Sequence, residues 1–522
     1  MKNYIALFSM LSVASIASAE ALYWVDGGTY FNATEDGKAT IGSKTSNAWD
    51  IERKFNTNDK SSITESYNWA TGYTIETITE DGKNYNVPTY TYAAADVVPT
   101  ETTDVYFKYS EFSIGTPHRH RISGRSALYS DVTIKSLTFE GCDDNWLMFA
   151  TNGHDLTILE DLTFNSTAVN WIGDHVNTNI TIGGDVINKN GSTGMYGTMR
   201  LGNGGVKSIS IGGDIVFAKG NRLQVSVTAV EGTTYSTANF NATGIAKFDN
   251  HTARLDFGRS SSNGNEAFYA IGGLSGENTG AIISTAAEKS SNGVISTIVL
   301  TNASDYSFAG KITVPTYESD GGTVDNVLNN TINIVMNGSG KQVLSGDNDF
   351  NGYVQVEKGT LLLNTAEGAQ HGKLKLNGGK FGSTSSAVFA SADINGGALI
   401  WNNNESFAAG LVEKIVIDGE MKKLTNDKIA IDFANLNAEG LVEEGWIDLI
   451  EATSLTGFDI LNANNDFTAQ NLVDAQANFQ WAGDNSNGYT LQVSFAAVPE
   501  AETMAMLFGA IALGFVVWRR RK

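Results

Sequence analysis

Alternation of apolar and polar residues marks four similar segments in the middle of the chain. They are residues 132–139 (VTIKSLTF), 156–164 (LTILEDLTF), 180–187 (ITIGGDVI) and 209–217 (ISIGGDIVF). The alternation is broken by a corner such as Glu-Asp or Gly-Gly and then resumes. A period of two is typical of strands that bury one face, so each segment predicts a strand, a bend and a second strand.

Equivalent positions of these segments recur at a regular distance. Asp161, Asp185 and Asp214 occupy the same place in successive units and are 24 and 29 residues apart. A repeat of this length, built from strands, is typical of a parallel β-solenoid (β-helix), in which inward side chains stack into one continuous core. We therefore predict an all-β protein whose residues 126–400 form a parallel β-solenoid.

The regions on either side are expected to form irregular β caps. Residues 20–125 contain short Thr/Tyr/Trp-rich runs and predict an N-terminal β region that covers the open edge of the repeats. Residues 401–497 contain further strand-like runs, spaced too unevenly for the same repeat, and predict a C-terminal β cap or small sandwich. The four runs are residues 414–417, 428–433, 446–450 and 489–495.

The N-terminus has the pattern of a signal peptide. Lys2 precedes an apolar stretch over residues 5–16, and Ala-Ser-Ala follows at 17–19. This order predicts export of the chain, with cleavage between Ala19 and Glu20 and removal of residues 1–19.

The C-terminal segment, residues 498–522, predicts a single transmembrane helix. Met504–Trp518 carries no charge and would be roughly 22 Å long as a helix. That is shorter than the ~30 Å hydrocarbon core, so spanning requires local thinning. A membrane-stop cluster follows, made of Arg519, Arg520, Arg521 and Lys522. By the positive-inside rule this cluster stays in the cytoplasm and the body lies outside.

The order of features in this segment resembles the PEP-CTERM sorting signal. Val498, Pro499 and Glu500 precede a polar spacer, the apolar stretch and the cationic cluster. The resemblance implies recognition by an exosortase, a membrane cysteine protease-transpeptidase, and removal of the anchor near Pro499-Glu500. The sequence departs from the pattern at Ala501, where the family usually has a second proline.

Residues 344–364 (LSGDNDFNGYVQVEKGTLLLN) resemble the autotransporter-associated β-strand repeat, and residues 300–314 look like a degenerate copy of it. This resemblance implies a β-helical surface protein.

Charge and cysteine content narrow the possible partners. The formal net charge is −22, which argues against nucleic acid or anionic lipid as a partner. Cys142 is the only cysteine, so the chain has no internal disulfide. A buried small side chain is the simplest interpretation of Cys142; a reactive thiol is the alternative.

The three repeat aspartates are the candidate metal ligands. If the units stack, Asp161, Asp185 and Asp214 form a column about 5 Å apart, and their mutual repulsion would be relieved by Ca²⁺. The alternative is that they face solvent at a turn, where Asp is common. No other cofactor is indicated.

Two further groups allow a glycan-binding or a structural interpretation. The basic cluster at residues 118–121 (HRHR) could contact an acidic glycan, or could guard a solvated strand edge. Four aromatic residues could stack on sugar rings or belong to the core. They are Trp146, Trp171, Tyr353 and Trp401.

These observations favour a non-enzymatic function. We expect an exported protein of the cell surface or extracellular matrix that acts by adhesion, scaffolding or association with exopolysaccharide. The alternatives are a polysaccharide lyase or glycosidase on a β-helix and a glycan-binding module without turnover. No motif of a serine hydrolase, zinc protease, P-loop or dinucleotide-binding enzyme is present in the sequence.

Overall fold

The computed structural model describes most of the chain between residues 21 and 498, and it is almost entirely β-strand. The described residues are 21–24, 31–33, 39–41, 52–54, 69–80, 83–93, 97–108, 125–140, 147–165, 170–189, 198–218, 222–249, 253–258, 266–285, 293–314, 330–383, 385, 387–401, 414–437, 445–498, 511–513, 515 and 518–519. They contain 43 strands and two short 3-10 helices, Tyr235–Thr237 and Ala463–Asn465.

The strands are numbered in chain order. The first part of the chain contains β1 (Ala21–Trp24), β2 (Phe31–Ala33), β3 (Ala39–Ile41), β4 (Glu52–Lys54), β5 (Trp69–Glu80), β6 (Lys83–Tyr92), β7 (Asp104–Lys108), β8 (Arg125–Ala127), β9 (Val132–Ile134), β10 (Ser136–Glu140), β11 (Leu147–Ala150), β12 (Leu156–Ile158), β13 (Leu162–Asn165), β14 (Asn170–Ile172), β15 (Asn179–Ile182), β16 (Val186–Asn188), β17 (Thr198–Val206), β18 (Ser208–Ile211), β19 (Ile215–Phe217), β20 (Arg222–Val227), β21 (Phe240–Ala242), β22 (Ala246–Phe248) and β23 (Arg254–Phe257).

The remaining strands complete the series. They are β24 (Glu266–Ile271), β25 (Leu274–Ser275), β26 (Ile282–Thr285), β27 (Ile295–Leu300), β28 (Tyr306–Phe308), β29 (Lys311–Ile312), β30 (Thr331–Met336), β31 (Lys341–Asn348), β32 (Val354–Val356), β33 (Thr360–Thr365), β34 (Gln370–Leu376), β35 (Lys380–Ser383), β36 (Val388–Ile394), β37 (Ala398–Ile400), β38 (Ile415–Lys423), β39 (Ile429–Asn437), β40 (Ile447–Thr456), β41 (Phe467–Val473), β42 (Ala475–Asp484) and β43 (Gly488–Ala497).

Most strands belong to four large sheets with long parallel runs. Through the first half of the chain, three sheets of fifteen, ten and nine strands each take every third strand, so that β9, β12, β15 and β18 are neighbours in the fifteen-stranded sheet. From β30 to β41, strands alternate between the fifteen-stranded sheet and a seven-stranded sheet, and each strand up to β39 pairs with the strand two places later. A two-stranded sheet joins β2 and β3.

Antiparallel hairpins lie at the two ends of the parallel runs. At the N-terminal side, β5 and β6 pair antiparallel, and β1 joins β5 to the parallel strand β7. At the C-terminal side, β43 pairs antiparallel with both β40 and β42. Such hairpins cover the edge strands that would otherwise offer unpaired backbone groups to another chain.

The parallel register places equivalent apolar side chains above one another. Leu156, Ile180 and Ile209 are directly paired, and all are buried. In the ten-stranded sheet the rings of Phe107, Phe139 and Phe164 are stacked. Their successive centroids are 5.0 Å apart, within the range favoured by aromatic pairs. One cluster of buried apolar side chains extends in this way from Leu22 to Phe495.

The change from three strands per repeat to two occurs at β31. Two buried side-chain amides of this strand form hydrogen bonds with backbone groups. Gln342 donates to the carbonyl of Leu274 at 2.9 Å and accepts from its N–H at 3.0 Å. Asn348 accepts from the N–H of Ile312 at 2.9 Å and donates to the carbonyls of Leu344, Gly346 and Asn364. Both side chains are wholly buried, so they replace backbone pairing where the strand pattern changes.

The all-β prediction with parallel pairing is confirmed. The four alternating segments form β9–β10, β12–β13, β15–β16 and β18–β19, each pair joined by the expected bend. The third strand of each repeat was not predicted. Parallel pairing also continues past residue 401, since β38 to β41 extend the two sheets. Their uneven spacing reflects register shifts between the paired strands.

The predicted transmembrane helix lies mostly outside the described residues. Residues 511–513, 515 and 518–519 are helical and exposed. Within the described part of the chain, no helix is both long and apolar enough to cross a bilayer.

A buried histidine makes the stability of the two-strand region depend on pH. The His371 ring is 1% exposed, lies between Phe350 and Phe389, and its Nδ1 is 2.7 Å from the carbonyl oxygen of Phe350. Burial lowers the pKa of His371 below 6.5. Below pH 6.5 the unfolded chain therefore binds the proton more readily than the folded chain, and the stabilisation present above that pH is lost.

We expect the free energy of unfolding to fall by up to about 1.4 kcal/mol per pH unit as the pH drops below 6.5 toward the lowered pKa. Hydrogen exchange of peptides from β34 measures this. His371→Phe keeps the ring contacts and should flatten the profile. An unchanged slope in that variant would assign the pH dependence to another group.

Candidate functional site

The three predicted metal-binding aspartates do stack at one register position, at the bend between the fifteen-stranded and ten-stranded sheets. Oδ1 of Asp161 accepts from the N–H of Asp185 at 2.8 Å, and Oδ1 of Asp185 accepts from the N–H of Asp214 at 2.7 Å. Oδ1 of Asp214 accepts from the N–H of Ile245 at 2.8 Å. We call this series the aspartate column. Each carboxylate satisfies a backbone donor of the next repeat.

The Gly-Gly-Asp corner of the sequence follows from this packing. A Cβ added at Gly184 would lie 2.2 Å from Oδ1 of Asp161, and one at Gly213 would lie 2.1 Å from Oδ1 of Asp185. Real Cβ atoms do not approach an oxygen so closely. The second glycine of each corner is therefore required by the carboxylate below it.

A lysine partners one end of the column. Lys247 Nζ lies 2.5 Å from Asp214 Oδ2, and this contact raises the pKa of Lys247. In the described part of the chain, no three His, Cys, Asp or Glu side chains converge as a metal site requires. Backbone amides and Lys247 are thus the observed partners of the column, and the Ca²⁺ site remains a prediction.

Removal of one carboxylate tests the structural role of the column. We expect Asp185→Ala to destabilise the bend by about 1–3 kcal/mol, because the half-buried N–H of Asp214 loses its charged acceptor. Asp185→Asn keeps an acceptor oxygen and should cost less than about 1 kcal/mol. Hydrogen exchange at Asp214 measures both variants. Exposed Asp427→Ala is the control, and equal losses in Asp185→Ala and the control would contradict this role.

Several predicted site residues lie outside the described residues. They are Ala19, Glu20, Pro499, Glu500, Arg520, Arg521, Lys522, Cys142, Trp146 and residues 118–121. Val498 is described and exposed, and its N–H donates to the carbonyl of Asp474 at 3.4 Å.

The described aromatic candidates differ in environment. Trp401 is 5% exposed and packs against Phe433 and Phe495, so it belongs to the core and offers no face to a sugar. Tyr353 is half-buried, and its hydroxyl donates to Glu266 at 2.7 Å. Burial, with Glu266 beside it, raises the pKa of Tyr353. Trp171 is half-buried on the outer side of the nine-stranded sheet.

Trp171 is part of a group of residues that we call the arginine face. The face comprises Trp171 on β14, Arg200 on β17, Arg222 on β20, and Arg254 and Asp256 on β23. These positions alternate with buried apolar residues such as Leu201, Leu223 and Leu255. Because neighbouring side chains of a strand point to opposite sides, the polar residues share the outer side of the sheet.

Asp256 organises the centre of this face. Its side chain is wholly buried and forms ion pairs with Nε of both Arg222 and Arg254, the latter at 2.6 Å. The two arginines are paired in register on adjacent strands and keep 26% and 29% of their side-chain surface exposed. A buried carboxylate requires such partners, and here it fixes both guanidinium groups.

Trp171 and Arg200 extend the arginine face across two more strands. They are paired in register, and the Cζ atom of Arg200 lies 5.3 Å from the centroid of the Trp171 ring, within the range of a cation–π contact. The arrangement places an aromatic ring and three guanidinium groups on four successive strands. Arginine and tryptophan together are suited to bind anionic or sugar ligands.

Asp256 is not placed to act as a general base. A general base must reach a substrate proton, whereas both carboxylate oxygens of Asp256 are occupied by arginines below the surface. The sequence did not predict the arginine face, because the outer residues of β20 and β23 beyond Arg222 and Arg254 are as buried as the inner ones and the strands show no alternation. Its signal is the recurrence of Arg-Leu-Gln-Val at 222–225 as Arg-Leu-Asp-Phe at 254–257.

A second surface feature is an acidic cleft of about 690 Å³ beside β25 and β28. Asp249, Glu277 and Asp305 line it together with Tyr306. Oδ1 of Asp305 accepts from the N–H of Lys341 at 2.9 Å. The carboxylates line the cleft without converging on one point.

Comparison with known proteins gives no relative from which a role could be transferred. No family model matches the chain, and no curated protein is significantly similar to it.

Proposed function

We propose that this chain is an exported, non-enzymatic β-solenoid protein of the cell surface or extracellular matrix. Its C-terminal segment would hold it at the membrane until an exosortase-like enzyme removes the anchor near Pro499-Glu500. The body would then act as a scaffold or adhesive element associated with polysaccharide.

One observation carries the structural part of this proposal. Strands pair in parallel with partners three places later, and then two places later, across four large sheets. A chain that returns to the same sheets in successive repeats builds a repetitive, quasi-one-dimensional body. Such a body offers long, regular side faces, which suit a scaffold better than an enclosed catalytic pocket.

The sequence features at both ends support export. The N-terminal stretch has the order of a signal peptide, and the C-terminal segment resembles a sorting signal. The chain has no cysteine pair, and this is compatible with export. The continuous core from Leu22 to Phe495 can stabilise the fold in place of disulfides.

Fractionation of producing cells, followed by mass spectrometry of both termini, tests the proposal. We expect the body outside the cytoplasm, an N-terminus at Glu20, and a C-terminus near residue 500 that lacks the apolar stretch. A variant with Arg519, Arg520, Arg521 and Lys522 replaced by Ser should lose retention at the membrane before processing. Recovery of the chain from the cytoplasm with Met1 and Lys522 in place would overturn the proposal.

The proposal that the protein does not cleave polysaccharides requires a separate test. Incubation of the purified protein with polygalacturonate or alginate should leave the length of the polymers unchanged. The appearance of unsaturated or reducing ends would replace the scaffold proposal by a polysaccharide-active enzyme.

A further inference from the structure

Lys423 is a buried lysine in a row of core side chains. In the fifteen-stranded sheet Leu376 pairs with Ile394, and Ile394 pairs with Lys423; the two apolar residues are wholly buried. Met421, two residues before Lys423 on β38, is also buried. Because alternate residues of a strand point to the same side, the side chain of Lys423 points into the core, and it is 7% exposed.

Asp466 meets this lysine from the direction of the seven-stranded sheet. It directly precedes β41, its side chain is 5% exposed, and its Oδ1 lies 2.8 Å from Lys423 Nζ. Every other lysine that pairs with a carboxylate in the described part of the chain keeps 30–42% of its side-chain surface exposed. Among the described residues, Lys423–Asp466 is therefore the one lysine–carboxylate pair in which both side chains are buried.

The amino group of Lys423 lacks the partners that a buried ammonium requires. An ammonium carries three N–H donors, whereas among the described residues Oδ1 of Asp466 is the one acceptor within hydrogen-bonding distance of Nζ. The two remaining donors are buried without an acceptor, which is unfavourable. An amide between the two side chains would carry one N–H and no charge, so it fits the site better than the ion pair does.

We propose that Lys423 and Asp466 condense to an isopeptide bond. A proton passes from Nζ to Oδ1, and the lone pair of the neutral Nζ attacks Cγ of Asp466. The tetrahedral intermediate carries its negative charge on Oδ2. A second proton then passes from Nζ to Oδ1, the bond from Cγ to Oδ1 breaks, and Oδ1 leaves as water. The product is an amide between Cγ and Nζ, and the reaction needs no oxidant or other reactant.

A backbone donor is in place where the negative charge develops. Oδ2 of Asp466 accepts from the N–H of Asp459. The turn that holds this N–H is fixed by the side chain of Asp459, whose Oδ1 accepts from the N–H groups of Leu461 and Asn462, each at 3.1 Å. A fixed donor of this kind stabilises the oxyanion of an acyl-transfer intermediate.

Proximity and burial also favour the condensation. Well-oriented groups within one molecule react at effective concentrations on the order of 10⁵ M or more. The short contact between Nζ and Oδ1 places the amine of Lys423 beside the carbon that it attacks. Exclusion of water from a buried site protects the amide from hydrolysis.

The bond would secure the C-terminal end of the parallel sheets. Lys423 is the last residue of β38 in the fifteen-stranded sheet, and the carbonyl of Asp466 accepts from the N–H of Ile429 on β39 in the seven-stranded sheet at 2.7 Å. A terminal repeat has a neighbour on one side only, and with Cys142 as the only cysteine the chain cannot close this end by an internal disulfide. An isopeptide bond would supply that covalent closure.

Mass spectrometry of the full chain purified from producing cells tests the inference. We expect the denatured protein to be lighter by one water than its sequence requires, once both termini have been mapped. We also expect trypsin to leave the chain uncut after Lys423 and to release two peptides joined at Lys423 and Asp466. Lys423→Met and Asp466→Ala should each restore the full mass. The unmodified chain carries the decisive measurement, so the result does not depend on how well these variants fold.

Lys380 provides the matched control. Its Nζ lies 2.6 Å from Oδ2 of the buried Asp432, but 42% of its side-chain surface is exposed, and the ammonium can be solvated. We expect this pair to stay ionic, so that trypsin cuts after Lys380 and Lys380→Met keeps the loss of water.

A chain of full mass, with Lys423 cleaved by trypsin and Asp466 in a separate peptide, would overturn the inference. So would a loss of water that persists in Lys423→Met, because the dehydration would then lie elsewhere. The bond forms within one chain and does not depend on export. A linked chain recovered from the cytoplasm would therefore reject the proposed function alone.

Discussion

Asn348→Asp is expected to destabilise the junction between the three-strand and two-strand regions by about 3–5 kcal/mol, although it changes one atom of the side chain. The Nδ2 group of Asn348 donates to the carbonyls of Leu344, Gly346 and Asn364. An aspartate presents a second acceptor oxygen to these carbonyls and also carries a buried charge. No repacking of the core can supply the missing donor.

The effect should be local and should depend on pH. Opposed carbonyls and burial raise the pKa of the introduced carboxyl in the folded chain, so the destabilisation is largest above that pKa. It diminishes as the pH falls from that raised pKa to the unfolded value of about 3.9, because the protonated acid of the folded chain can donate one bond. Hydrogen exchange at Ile312, whose N–H contacts Asn348 Oδ1, should accelerate about 100-fold or more at neutral pH.

Asn395→Asp is the matched control, because Asn395 is an exposed residue at a bend of the two-strand region. It should change stability by less than about 0.5 kcal/mol. Equal exchange at Ile312 in the two variants would show that the amide of Asn348 does not hold the junction.

The sequence was most informative where burial and bend chemistry coincide. The alternation in residues 132–139 and 209–217 locates both strands and the bend between them, because one side of each strand is buried and the bend needs glycine. The third strand of each repeat was missed. In β20 the outer residues Gln224 and Ser226 are as buried as the inner ones, so the alternation that marks a half-exposed strand is lost.

The junction could not be predicted for a related reason. Register places the Cα of Ile334 opposite Val354, which lies 20 residues later, whereas Ile298 is 36 residues before Ile334. A fixed period therefore fails there. The amides that allow the change, Gln342 and Asn348, are single polar residues inside strands, and their meaning depends on backbone groups 68 and 36 residues away.

The candidate sites, like the fold, could be predicted only in part from the sequence. Stacking of Asp161, Asp185 and Asp214 follows from their spacing, but the identity of their partner does not. A carboxylate at a bend can bind a cation or can accept a hydrogen bond from a backbone amide. Only the position of the N–H group in the next repeat distinguishes the two possibilities. The contacts of Asp256 likewise depend on Arg222, which lies one full repeat earlier in the chain.

Asp256→Ala is expected to have the second large effect, a loss of about 2–4 kcal/mol in the region of β20, β23 and β26. Removal of the carboxylate leaves Arg222 and Arg254 side by side with like charges and without their shared partner. The loss is smaller than for a fully buried pair, because both arginines are about a quarter exposed and can turn toward water.

A second variant distinguishes two possible origins of that loss of stability. Its stability is measured by hydrogen exchange of β23 and by urea unfolding. If the loss comes from unpaired charge, replacement of all three residues by Leu and Met should return stability to within about 1–2 kcal/mol of the unmodified protein. If it comes from packing, the triple variant should be no more stable than Asp256→Ala. The first result would mean that the ion pairs contribute little net stability. Their presence on the arginine face would then be explained by the orientation that they impose on the two guanidinium groups, and not by the free energy of folding.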